Sequence, residues 1–249
     1  MGGHPRIAGL RVVMSWPTDS EFAPAPPPRG RGRARLAGFA GACLVFGGVI
    51  AMLVAALAQQ HAPVPGASAA GHLGPGGARG PVLHQSLPVS VAIPAIGVRS
   101  KLLHLGRNKD GTMTVPDLIT SANEAAWYKY SATPGQIGTS VIEGHVDSYG
   151  GPAVFYRLGA LRPGNRINVT RADGITAVFR VTGVREYAKD KYPAEMIYGP
   201  TDYAALRLIT CGGDFDLATH HYLNSVVVFA VLSSATRPAA TVAAGPLAS

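Results

Sequence analysis

Eight short runs rich in β-branched residues, spread over about 150 positions, constrain this chain more than any other feature. They are residues 89–93 (VSVAI), 96–103 (IGVRSKLL), 112–115 (TMTV), 139–143 (TSVIE), 166–170 (RINVT), 176–182 (TAVFRVT), 205–210 (ALRLIT) and 225–232 (SVVVFAVL). Most are closed by Gly, Pro, Asn or Asp, so a helix cannot propagate from one run to the next. Branched side chains are stiff at χ1 and pack well on a pleated surface, which favours strands. Many short strands separated by turn signals point to one all-β barrel or sandwich with only short helices. Residues 121–129 and 153–158 are the candidates for those helices, and no internal repeat is visible.

Upstream the texture differs. Residues 36–58 (LAGFAGACLVFGGVIAMLVAALA) run for 23 positions without a charge. About 20 apolar residues cross a bilayer, and a soluble core helix rarely lacks a polar face for so long. Arg29, Arg31, Arg33 and Arg35 precede the run, and no Lys or Arg follows until Arg79. The positive-inside bias then keeps the N-terminus cytoplasmic and exports everything beyond Ala58. The competing reading is a cleaved signal peptide, since Ala56-Leu57-Ala58 fits a small-residue cleavage site. The run is longer than a usual signal h-region, which favours a retained anchor. The organisation expected is a disordered basic cytoplasmic tail (1–35), a transmembrane helix (36–58), a Pro/Gly/Ala-rich linker (59–86), a folded domain (87–235) and a disordered tail (236–249).

The formal charge of +8 misleads as a global number. Residues 1–86 hold 7 Lys/Arg against 2 Asp/Glu, whereas 87–249 hold 15 against 12. The folded part is only mildly basic, with no aromatic-interleaved basic stripe, which argues against nucleic acid as a partner. Two cysteines, one of them inside the apolar run, exclude a disulfide scaffold and the multi-cysteine zinc sites.

Cys211 is the cysteine left for chemistry, in Thr210-Cys211-Gly212-Gly213 directly after a strand-like run. Sixty-six residues earlier, Glu143-Gly144-His145-Val146-Asp147 stands between a hydrophobic lead-in and a Gly-rich turn. A free thiol has a pKa near 8.5, so it needs an imidazole or another cation beside it to act as a nucleophile at neutral pH. His145 is the natural partner: Gly144 before it permits close backbone approach, and Asp147 lies two residues on. Both groups are expected to face outward at strand-to-loop junctions.

Taken with Ile93-Pro94-Ala95-Ile96-Gly97-Val98, the run 110–116 (DGTMTVP), Pro134-Gly135, the run 155–158 (FYRL) and the run 208–211 (LITC), these motifs resemble the sortases. The resemblance covers about residues 87–233 and is nearest the class E/F type of high-GC Gram-positive bacteria. It implies an eight-stranded β-barrel with the His and Cys at neighbouring strand ends, on an exported domain anchored by residues 36–58. The implied reaction is transpeptidation. The Cys211 thiolate attacks the Thr carbonyl of an LPxTG-like sorting signal, and His145 protonates the departing Gly amine. An amine of a peptidoglycan precursor or a pilin then resolves the thioester. The implied partners are surface proteins bearing a C-terminal sorting signal and that amine acceptor, and the chemistry requires no metal or cofactor.

One element of the family pattern is missing. Sortases usually complete the site with an Arg downstream of the Cys, yet residues 212–236 contain no Arg or Lys. Leu217 and Leu223 stand where relatives commonly offer Arg. Losing such a donor costs about 10²–10³ in rate by oxyanion-hole precedent. Arg207 shares the strand face of Cys211 by alternation, but four residues separate them by roughly 13 Å. Folding can bring Arg180 or Arg185 closer. The substitutes expected are His221 or the backbone N–H groups of a Gly212-Gly213 turn. Asn224-Ser225 also departs from the usual Asp-Asn, and Asn165 from an Asp. The alternatives to a transpeptidase are a hydrolase using water as acceptor and a catalytically weak binding module. A cell-wall L,D-transpeptidase fits less well, since its Cys sits in a Ser-His-Gly-Cys motif followed by Arg.

Overall fold

The computed structural model describes residues 62–75 and 80–237. The tail expected over 1–35, the membrane segment 36–58 and most of the C-terminal tail lie outside them. Among the described residues no helix is long and apolar enough to cross a membrane.

Ten strands form: β1 (Pro88–Ile93), β2 (Val98–Leu105), β3 (Ala125–Tyr128), β4 (Gly138–Glu143), β5 (Asp147–Ser148), β6 (Gly151–Pro152), β7 (Arg166–Arg171), β8 (Thr176–Ala188), β9 (Ala204–Asp216) and β10 (His221–Thr236). Eight close into a barrel in the order β1-β2-β3-β4-β9-β10-β8-β7, and β5 with β6 makes a separate two-stranded sheet. The β2–β3 and β4–β9 pairings are parallel. The other barrel pairings are antiparallel, with β1 against β7 completing the circuit. Closure leaves no free sheet edge, so each barrel strand is paired on both sides.

Alternation along β9 decides what lies where. Leu206 and Leu208 enter the barrel core with Ile93, Ile142, Phe155, Leu158, Ile167, Phe179 and Val228. Ile209 joins a second cluster with Met113, Tyr128, Val141, Ile197, Val227 and Phe229. Tyr187, Tyr192 and Tyr198 pack against that second cluster, the last two from the β8–β9 connection. That connection holds a 3-10 turn (Lys189–Lys191) and the helix α1 (Ala194–Tyr198). Strand β9 is thus buried on both faces as far as Gly212, which is why its sequence is nearly continuous in apolar residues.

Three expectations need correcting. Residues 112–115 form no strand; they contribute one bridge, Arg107 to Met113. Asp110 holds the preceding turn, accepting from the Thr112 backbone N–H at 2.9 Å. The eighth barrel strand is β3, inside the stretch expected to be helical over 121–129. Its AAWY sequence lacks the alternation of a half-buried strand because all four residues are buried. Residues 153–158 make turns leading into a 3-10 turn (Leu158–Ala160), not a regular helix.

The region read as a linker over 59–86 behaves differently across 62–75. Ala69 is fully buried in the barrel core. The His72 N–H donates to the Thr182 carbonyl at 2.8 Å, and Arg185 Nη2 donates to the Gly71 carbonyl at 3.2 Å. Small residues and prolines order readily when packed against a surface, since they lose little side-chain entropy. The segment is a strap on the barrel, a role that composition alone cannot distinguish from a tether.

Candidate active site

The parallel pairing of β4 with β9 builds the site. Glu143 lies opposite Ile209 in that register, and the Gly144 N–H donates to the Ile209 carbonyl at 3.2 Å. His145 follows two residues after the end of β4, and Cys211 two residues after Ile209 on β9. Gly144 is required at this approach, because a Cβ there would meet Val154 Cγ1 at 2.6 Å and Phe155 Cδ2 at 2.9 Å. The chain then folds back through β5 and β6, and the Phe155 N–H bonds the His145 carbonyl at 2.9 Å.

Neither side chain is outward-facing as the sequence suggested: His145 and Cys211 are each 2% exposed. Nor does Cys211 end its strand, because β9 continues to Asp216 and stays paired with β10. The Gly212-Gly213 pair forms no turn. The register shifts there, from Gly212 opposite Asn224 to Phe215 opposite Tyr222, as a bulge beside the site.

His145 Nε2 lies 2.7 Å from the Pro116 carbonyl oxygen. A carbonyl only accepts, so Nε2 carries the hydrogen and Nδ1 is the nitrogen for proton exchange. Burial depresses the imidazole pKa, and the Pro116 bond with the Asp147 and Asp117 carboxylates pushes in the opposite direction. Asp147 is held in turn by the Tyr222 hydroxyl from β10, which donates to Oδ2.

A residue that sequence reasoning missed reaches the thiol. Lys189 Nζ is 3.6 Å from Cys211 Sγ. Lys189 is the first residue after β8, and nothing in the local Lys189-Asp190-Lys191 sequence marks it. Glu143 was also missed: it is buried, neither carboxylate oxygen has a hydrogen-bond partner, and burial raises its pKa to about 8. It is therefore protonated at neutral pH.

The arginines weighed from sequence are engaged elsewhere. The Arg207 guanidinium lies 4.6 Å from the Phe229 ring centroid and donates to the Leu206 carbonyl at 3.3 Å. Arg180 Nη1 donates to the Gly164 carbonyl at 3.0 Å, and Arg185 reaches the strap at Gly71. His220 sits at a left-handed φ of 55° in the β9–β10 turn, its ring edge-on to Phe215. His221 opens β10 opposite Asp216, five residues along β9 from the thiol.

Beside Cys211 lies a cavity of only ≈ 10 Å³, at the lower limit for a single water. Ala62, Pro63 and Val64 of the strap line it together with Val146, Thr210 and Gly212. Gly159 makes the strap's path possible, since a Cβ there would fall 1.8 Å from the Pro63 carbonyl oxygen.

Comparison with known proteins gives the family of the chain. No curated protein matches the chain. Among solved structures, sortase A of Listeria monocytogenes is similar at 16% identity and a TM-score of 0.45, over 62% of this chain and 91% of that one. The SrtA sortase from Actinomyces oris is similar at 19% identity and a TM-score of 0.44, over 66% of this chain and 89% of that one. For sortase A from Corynebacterium diphtheriae the values are 18% and 0.44, over 60% and 61%. The sequence profile of the Sortase domain matches residues 91–233, a span that takes in all or part of every barrel strand. By that match, over more than half of its length, the chain belongs to the sortase family of cysteine transpeptidases.

Proposed function

We propose that this sortase is a membrane-anchored, class E/F-type transpeptidase that joins surface proteins bearing an LPxTG-like signal to an amine of the cell wall or of a pilin. The observation that supports the reading is the β4–β9 pairing, with the buried His145 two residues beyond its end on one segment and the buried Cys211 two residues beyond it on the other. His145 Nδ1 takes the thiol proton, and Cys211 Sγ attacks the Thr carbonyl carbon of the signal. The tetrahedral intermediate collapses as His145 returns a proton to the departing Gly amine, leaving a thioester on Cys211. The acceptor amine then forms the new amide bond, giving its proton to His145 Nδ1, and expels the sulfur as thiolate. Residues 36–58 hold the domain at the outer face of the membrane with the N-terminus in the cytoplasm.

The test is direct. The full chain in detergent is incubated with LPxTG- and LAxTG-type peptides and an amine, and Cys211 is followed by mass spectrometry. A thioester adduct at Cys211 that disappears as the amide product forms is the expected result. Cleavage without transfer identifies a hydrolase. A folded protein that never acquires an adduct is a binding module, and the proposal fails.

A further inference from the structure

Thiolate chemistry needs positive charge at the sulfur, and three features of this site restrict where it comes from. Residues 212–236 carry no Arg or Lys, and Leu223 at 50% exposure is half open to solvent, with no charge to offer. Arg180 and Arg207 are bonded to backbone carbonyls of the barrel domain away from the thiol, and Arg185 to one of the strap. Lys189, by contrast, places its ammonium 3.6 Å from Cys211 Sγ.

The placement follows from the topology. Strand β10 lies between β8 and β9, pairing Asn224 with Ala188 on one side and with Gly212 on the other. The end of β8 is therefore level with the Cys211 segment of β9, two strands away. The chain turns there into the Lys189–Lys191 3-10 turn. A long, flexible side chain spans the gap that a residue on β10 itself would otherwise cover.

We propose that Lys189 is a catalytic residue of this sortase, whose ammonium stabilises the Cys211 thiolate in place of a cation supplied from β10. The inference rests on Cys211 being the nucleophile. Lys189 makes and breaks no bond in the reaction. In the resting enzyme the thiol proton passes to His145 Nδ1 and the negative charge on sulfur faces Nζ. In the second half-reaction the C–S bond breaks and the electron pair departs on sulfur toward the same ammonium. Burial disfavours a charged His145, which makes a second basic side chain at the sulfur all the more useful. A cation within about 4–6 Å lowers a thiol's pKa by roughly 1–3 units.

The experiment measures the iodoacetamide alkylation rate of Cys211 against pH, on the full chain in detergent, with peptide mapping to separate Cys211 from Cys43. Relative to the unmodified chain, Lys189→Met is expected to move the alkylation midpoint upward by about 1–2 pH units. Its rate at pH 7 falls about 10- to 100-fold, and the two curves converge above pH 10. Lys189→Arg restores the lower midpoint. A Lys189→Met curve whose midpoint stays in place, with or without a uniform loss at every pH, overturns the proposal, because a packing defect cannot produce convergence at high pH. Thermal melts of each variant establish that the barrel is folded. Alkylation needs no sorting peptide, so failure here is distinct from failure of the transpeptidase assay.

Discussion

Strand β8 starts near the guanidinium of Arg171 and ends at the ammonium of Lys189, two cations separated by roughly 40 Å of extended chain. At the first end everything is paired. Arg171 is buried, and its Nη1 donates to the Pro134 carbonyl at 2.6 Å. Nη2 donates to the His84 carbonyl and to Asp173 Oδ2, both at 2.7 Å, and Nε donates to Asp173 Oδ1 at 3.3 Å. One side chain thereby ties the segment before β1, the loop before β4 and the β7–β8 hairpin together. At the second end, Glu143, Thr210 Oγ1 and His221 Nδ1 are buried without hydrogen-bond partners, and Lys189 points at a sulfur. Unpaired buried polar groups cost stability, and among the described residues the Arg171 end holds none of them. The barrel is built with a structural end and a chemical end.

Four variants would break or sharpen that division. Arg171→Met strikes the structural end and is expected to have the largest effect. It strands Asp173 and two carbonyls, for a loss of about 3–5 kcal/mol in urea unfolding. The Cys211 alkylation midpoint should not move; a shift would mean that the two ends are coupled.

Glu143→Gln probes the chemical end through pH. The folded carboxyl titrates near 8 against an ordinary 4.5, so below pH 4.5 both states are protonated and burial carries no charge penalty. As pH rises from 4.5 to 8 the unfolded chain ionises first, and stability is lost at up to about 1.4 kcal/mol per unit. The Gln variant should therefore match the unmodified chain's pH trend poorly, losing little between pH 5 and 8 where the original loses a few kcal/mol. Identical slopes in chemical denaturation would sink this account of Glu143.

Gly159→Ala addresses the strap. The new Cβ expels the Pro63 carbonyl and should loosen residues 62–64 from the cavity beside Cys211. Alkylation of Cys211 is expected to quicken severalfold, with stability falling by only about 1 kcal/mol. An unchanged alkylation rate would show that the strap does not limit access. The smallest effect is expected of Tyr222→Phe, which removes the hydroxyl bonded to Asp147. Stability should drop by about 1 kcal/mol, and the His145 titration followed by NMR should move upward as Asp147 acts on it with its full charge.

Much of this was legible in the chain, and the failures have a common form. Seven of the eight β-branched runs became barrel strands because alternation and turn residues act locally. Strand β3 was hidden because AAWY is buried on both faces and held by parallel pairing with β2, so it shows neither period. The strap was hidden because a Pro/Gly/Ala-rich segment reads the same whether it is packed or free. Cys211 and His145 could be singled out by residue type and by the strand-like runs before them. Lys189 and Glu143 could not, since nothing within several residues of either one announces a thiol or an unpaired pocket.

The sequence by itself determined most of the strands and the family, singled out Cys211 and His145, and left no Arg or Lys after Cys211 before Arg237. Only the tertiary structure decided that the Lys189 ammonium stands 3.6 Å from the sulfur, that His145 Nε2 is bonded to the Pro116 carbonyl, and that His145 and Cys211 are both buried. The physical reason is barrel closure. Register across β4–β9 and β8–β10–β9 sets contacts between residues tens of positions apart, and those contacts depend on how the whole circuit of strands closes rather than on any local stretch of chain.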